Sequence, residues 1–197
     1  MPFVAPIVEG HGEVTAVPVL LRRLYQALEP SQWLTVNEPA RVKAQAFFQM
    51  GKEFHRHVFL AAGKAAQEQG GVLILMDCED DCPATLGPKL LAAAKGVRGD
   101  VPYLVVLARR EFETWFIAAA PSLQGVCGLP VDLTAPEYFE EIRDAKGWLG
   151  RRMPNGYKET EHQQRLAARF DLRQARSARS FDRLIQRLPG FLASLPG

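Results

Sequence analysis

Val8-Glu9-Gly10-His11-Gly12-Glu13 follows the apolar run Phe3-Val4-Ala5-Pro6-Ile7 and precedes a helical run from Val14 to Ala27. A strand that ends in a glycine-flanked carboxylate and turns at once into a helix sets Glu9 at the carboxyl edge of a sheet. Open α/β folds place their chemistry at that edge. Gly10 and Gly12 free the backbone to take positive φ and to approach a ligand closely. Glu13, four residues after Glu9, falls on the first helical turn, where the helix dipole favours an acid. From there it can point back to the same spot. Taken alone, the stretch reads equally well as an ordinary strand-to-helix turn.

A second acidic edge tips the balance. Gly71 to Met76 is a continuous apolar run of strand length that stops at Asp77-Cys78-Glu79-Asp80-Asp81. Such runs belong to parallel sheets covered on both faces. A third, Val101 to Ala108, runs out into Arg109-Arg110-Glu111-Phe112-Glu113. Helical spacing links them over Thr15–Leu28, closed by Glu29-Pro30-Ser31, over Lys52–Gln69 and over Leu86–Ala94, with Pro88 in the first turn of the last. Trp33–Asn37 alternates like a short strand, and Arg41–Met50 reads as either strand or helix. The β-α-β-α-β order predicts a Rossmann-like, mainly parallel central sheet flanked by helices. Glu9, Glu13, Asp77 and Glu79 then share one edge.

Beyond Glu111–Ala119, a helix, and a loop-rich stretch to Pro136, the pattern becomes helical only. The expected helices are Glu137–Arg151, with Tyr138, Ile142 and Leu149 inward, then Glu161–Phe170, and a last one with Ser180 as N-cap. The chain is thus divided into an α/β domain over 1–135 and a basic helical extension over 136–197. Residues 1–142 hold 12 Lys/Arg against 17 Asp/Glu, a net of −5, whereas 143–197 hold 12 against 5, a net of +7. Arginines from Arg165 and Arg169 through Arg173, Arg176, Arg179 and Arg183 to Arg187 recur every three or four residues and suggest a basic face. An acidic module beside a basic one fits nucleic-acid chemistry, although a solvated amphipathic tail has the same pattern.

With 197 residues, 47% of them hydrophobic, the chain can bury one good core. No apolar run approaches the roughly 18 residues that span a bilayer, and no signal pattern opens the chain. The three cysteines are too few for a disulfide framework. A cytoplasmic protein without membrane contact is expected.

Asp77, Glu79, Asp80 and Asp81 are four acids within five residues after a strand, unfavourable unless solvated or neutralised by a cation. Hard oxygen ligands suit Mg²⁺ or Mn²⁺. Zinc is disfavoured, because Cys78 and Cys82 lack a second pair at ligand spacing. Two such ions activate water and stabilise the leaving oxygen of a phosphodiester. A nearby cation then steadies the phosphate oxygens, and Lys158, with Arg109 and Arg110 behind it, is the candidate.

Glu9-Gly10-x-Gly12-Glu13 between strand and helix, with Asp77-x-Glu79 after a later strand, resembles the Toprim domain. The spacing of Glu9 and Glu13 is similar to that of the overcoming-lysogenization-defect (OLD) nucleases. Arg110 to Trp115, Tyr157-Lys158, Gln163 and Ser180-Phe181 look like a small bacterial Toprim-like family often encoded beside an ABC or AAA-type ATPase. The resemblance implies a metal-dependent DNA nuclease, in a phage-defence or toxin-like system, with that ATPase as a partner. Its metal ligands are Glu9, Glu13, Asp77 and Glu79, completed by Glu111 or Glu113, with Glu9 and Lys158 catalytic and Arg109, Arg110, Arg165 and Arg169 on nucleic acid. Glu79 departs from the family's second Asp by one methylene. A non-catalytic partner module that binds the ATPase is the alternative, and a nucleotide hydrolase is weaker because no phosphate loop is present.

Overall fold

The computed structural model describes residues 1–29 and 32–196. Its centre is a five-stranded sheet built from β1 (Phe3–Val8), β2 (Thr35–Val36), β3 (Ala40–Arg41), β4 (Gly71–Asp77) and β5 (Tyr103–Ala108). The strand order is β2-β1-β4-β5, with β3 also against β1, and every pairing is parallel. The protein is therefore α/β with a parallel sheet, as the strand-length apolar runs imply. β1 and β4 are buried at every residue, which is why neither alternates with polar residues.

The outer neighbour of β1 is broken, and Pro6 coincides with the break. The carbonyls of Val4 and Val8 accept from Asn37 and Val42 on that side. Pro6 has the same parity and no N–H to offer, so pairing lapses between β2 and β3, where Pro39 also sits. The ambiguous stretch Arg41–Met50 resolves into the end of β3 followed by the short helix α2 (Ala44–Phe48).

Alternate strand residues point to two separate cores. Ala5, Ile7, Ile74, Met76 and Leu107 pack under α2, α3 (Lys52–Gln67) and α4 (Pro83–Val97). Val4, Val8, Leu73, Leu75 and Val106 pack under α1 (Glu13–Leu28) and a layer that includes α5 (Thr114–Ala118), α6 (Ala145–Gly150), α7 (Glu159–Ala167) and α8 (Arg179–Ala193). That second core holds an edge-to-face aromatic chain, Phe116–Phe170–Phe181–Trp115. Residues 136–197 thus share with α1, α5 and the stretch after it the cover of one sheet face.

Four local expectations change. Glu137–Arg151 is not one helix: Phe139–Glu141 form a 3-10 turn, the chain extends at Ile142, and α6 begins after Asp144, whose side chain accepts from Gly147 N at 2.7 Å. Tyr138, expected inward, is 65% exposed. Helix α4 starts at Pro83, so Pro83 rather than Pro88 occupies the first turn. Ser180 lies inside α8 and does not cap it; its Oγ instead accepts from Trp115 Nε1 at 2.8 Å and Arg109 N at 3.2 Å, tying α8 to the end of β5. Of the helix stop at Glu29-Pro30-Ser31, Pro30 and Ser31 lie outside the described residues. No helix among the described residues is long and apolar enough to cross a membrane.

Candidate functional site

The carboxyl ends of β1, β4 and β5 open into a pocket of about 470 Å³ walled mainly by charged side chains. Because the three strands are parallel neighbours, the residues that follow each meet here: Glu9 after β1, Asp77 and Glu79 at the end of β4, Glu111 after β5. Glu13 and Glu113 stand just behind, 1% and 0% exposed. The four carboxylates expected at one edge, Glu9, Glu13, Asp77 and Glu79, are therefore brought together, and both Glu111 and Glu113 join them. Glu79 and Arg110 both adopt left-handed backbone, φ +40° and +63°, and are joined by a bond from Glu79 N to Arg110 O of 3.1 Å. For non-glycine residues this conformation costs about 1–3 kcal/mol each, and here it aims two loops across the pocket mouth.

The glycines of the first turn act differently from expectation. Neither Gly10 nor Gly12 has a positive φ. A Cβ on Gly12 would lie 2.1 Å from Gln163 Oε1 and 2.6 Å from the carbonyl oxygen of Glu159, so Gly12 makes room for α7 rather than for a ligand. Glu13 Oε2 accepts from Glu9 N at 3.0 Å and so holds the turn closed.

The centre of the cluster is a residue that no motif marked. Lys146, the second residue of α6, places Nζ 3.3 Å from Glu113, 3.4 Å from Glu111 and 3.7 Å from Asp77. Glu111 also accepts from Ala145 N at 3.0 Å and Lys146 N at 3.2 Å, so one carboxylate caps α6 and grips the lysine it carries. Glu113 Oε1 accepts from Tyr157 Oη at 2.8 Å and Gln163 Nε2 at 3.1 Å. Asp77 Oδ1 accepts from Phe112 N at 2.8 Å. Each of these three acids is thereby fixed by a second element. Glu9 is held more loosely, beside the backbone of Asp77 and Ala44, and its Oε2, like Oε2 of Glu113, is buried with no hydrogen-bond partner.

Lys158 lies elsewhere, 60% exposed, with Nζ 3.1 Å from Glu161 Oε1. The backbone at Lys158 begins α7, and the side chain turns outward. Arg110 reaches the rim, where it and Arg143 bind Asp80. Arg109 points along the other side of β5, its Nε toward the carbonyl of Glu140 at 3.4 Å. Arg165 and Arg169, on α7 and just past it, are exposed and do not line the pocket.

The electrostatics follow from crowding. Burial, then the carboxylate of Glu79, pushes Glu9 above the ordinary range. Burial raises Glu13 to about 7, with Glu113 adding to it. Burial raises Asp77 well above its usual value, helped by Glu13, and raises Glu113 as well. Burial opposes the Lys146 ammonium, but Glu113, Asp77 and Glu111 outweigh it and hold its pKa far above normal. One permanent cation thus faces four acids that resist ionising, Glu9, Glu13, Asp77 and Glu113. The oxygen-only donor set and the orphaned Glu9 oxygen fit a hard divalent ion. Among the described residues no three acids, histidines or cysteines already converge as ligands on one point. Lys146 stands between them.

A family model described as a domain of unknown function, DUF4276, matches residues 8–189. That span contains the whole cluster, from Glu9 to Lys146. No curated protein and no solved structure matches the chain.

Proposed function

We propose that this chain, which belongs to the DUF4276 family, is a divalent-metal-dependent nuclease whose centre is the carboxylate cluster around Lys146. The observation that carries the reading is the buried, unpartnered Oε2 of Glu9 beside three buried acids with raised pKa values. Such a group is costly to keep ionised without a cation of its own. Glu9, Glu13 and Asp77 would hold Mg²⁺ or Mn²⁺, with Glu79 closing the site from the rim. When bound, the metal polarises a phosphoryl oxygen and lowers the pKa of water.

The remaining work falls to side chains of the chain itself. Glu111 and Glu113, each already bonded elsewhere, act as positioning residues that hold Lys146. The Lys146 ammonium stays charged at any ordinary pH and can donate to a phosphate oxygen that gains charge in the transition state. Lys146 therefore takes the role that the sequence assigned to Lys158. Arg110 and Arg143, both at the mouth, offset the approach of a polyanion to an acidic pocket. DNA as substrate, a defence or toxin-like setting and a neighbouring ATPase partner belong to the same reading through the Toprim resemblance.

A second reading has its own support: the Lys146 ion pairs already neutralise part of the cluster, as in a non-catalytic module that binds an ATPase. Calorimetric titration with Mn²⁺ separates the two. The nuclease binds the ion and loses that binding in Glu9→Gln. A protein that binds no Mn²⁺, yet captures its ATPase, is the module.

A further inference from the structure

A second groove, of about 390 Å³, runs along the outer edge of β5 between α4 and α8. One wall is arginine. Arg179, Arg183 and Arg187 stand four residues apart on α8, a rise of about 6 Å per step, and all three are exposed. Arg109 continues the row toward the pocket, next in sequence to Arg110 at the acidic mouth. Arg179 is paired with Glu140 at 3.3 Å, whereas among the described residues neither Arg183 nor Arg187 has an acidic partner. Asp182 is turned away, onto Arg176 at 2.6 Å. The opposite wall is different: Pro83, Ala84, Gly87 and Pro88 of α4, over a floor of Val105 and Leu107, carry no charge.

We infer that this groove binds one single-stranded segment of nucleic acid and leads it to the carboxylate pocket, an inference that deepens the nuclease reading and rests on it. A row of guanidiniums recognises successive phosphates through their planar forks. The uncharged wall suits sugars and bases, which a lone strand exposes. A duplex presents phosphate on both outer faces and has no use for an apolar wall. The loop from Glu79 to Cys82 borders both cavities, so a strand lying on α8 passes Arg109 and Arg110 into the site.

The test is fluorescence anisotropy of fluorescein-labelled dT20 with the full chain in EDTA, which separates binding from cleavage. Arg183→Ala/Arg187→Ala weakens binding at least about 10-fold. It also lowers the slope of log K against log salt by about 1.4, two contacts at roughly 0.7 each. Lys52→Ala/Arg56→Ala, which removes the same charge from the exposed side of α3, stays within about 2-fold. A 20-base-pair duplex binds more weakly than dT20. Equal losses in the two double variants, no loss in either, or a duplex bound as tightly as dT20 overturns the groove. Glu9→Gln keeps dT20 binding and loses cleavage; a Glu9→Gln that still cleaves defeats the Glu9-centred site and leaves the groove standing.

Discussion

Glu13→Gln should make the protein more stable, by an amount that grows as pH rises from about 4.5 and is complete above about 7. Glu13 is 1% exposed, and burial, with Glu113 adding to it, raises its pKa from an ordinary 4.5 to about 7. A carboxyl whose folded pKa exceeds its unfolded value binds its proton more tightly in the folded state. Its support for folding is complete below about 4.5, falls away as pH rises, and is gone above about 7. Each pKa unit is about 1.36 kcal/mol, so ionising Glu13 costs the folded state about 3 kcal/mol at pH 8. Gln keeps an oxygen to accept the Glu9 N–H, and it carries no charge at any pH. For a chain of this size the gain corresponds to roughly 6–12 °C in melting temperature. Thermal melts followed by circular dichroism in EDTA, at pH 5 and pH 8, measure it. A Glu13→Gln protein no more stable than the wild type at pH 8, or equally stabilised at both pH values, refutes the account of a crowded, under-neutralised cluster.

Further outcomes follow from the same geometry. Mn²⁺ at 100 times its dissociation constant should raise wild-type stability at pH 8 by about 2.7 kcal/mol, an effect Glu9→Gln abolishes in the same melts. Lys146→Met should lower single-turnover cleavage about 10²–10³-fold. Lys158→Ala, which loses only a surface pair with Glu161, should stay within about 2-fold in that assay. Gly12→Ala should destabilise by about 1–3 kcal/mol in urea titration, because its methyl meets Gln163 and the Glu159 carbonyl.

The sheet was legible because its physics is local: each buried strand is an unbroken apolar run, and each of the three ends in charge. Glu9, Asp77 and Glu111 follow directly, since parallel neighbours bring the ends of their strands together. Lys146 was not legible. It sits on a short helix read as part of a longer one, and its place depends on Glu111, 35 residues earlier, gripping the first turn. Asp144 three residues before Gly147 is the local sign that a helix begins there. Glu113 carried a clearer signal, a lone acid within Phe112-Glu113-Thr114-Trp115-Phe116, a run too apolar to be surface. Lys158 misled because its backbone sits beside Tyr157, which does bind Glu113, while its side chain leaves for solvent. The arginines of the tail recur at one-face spacing, yet they divide between α7, a 3-10 turn and α8: those of α8 line the groove beside β5, whereas Arg173 and Arg176 border a separate small cavity against α1.

The most direct test of the central claim is cleavage of supercoiled plasmid by the purified protein with Mg²⁺, Mn²⁺ or EDTA, alongside Glu9→Gln and Asp77→Asn. The account predicts nicking with either metal, none in EDTA, and none from either variant. Cleavage that persists in EDTA, or in Glu9→Gln, contradicts it.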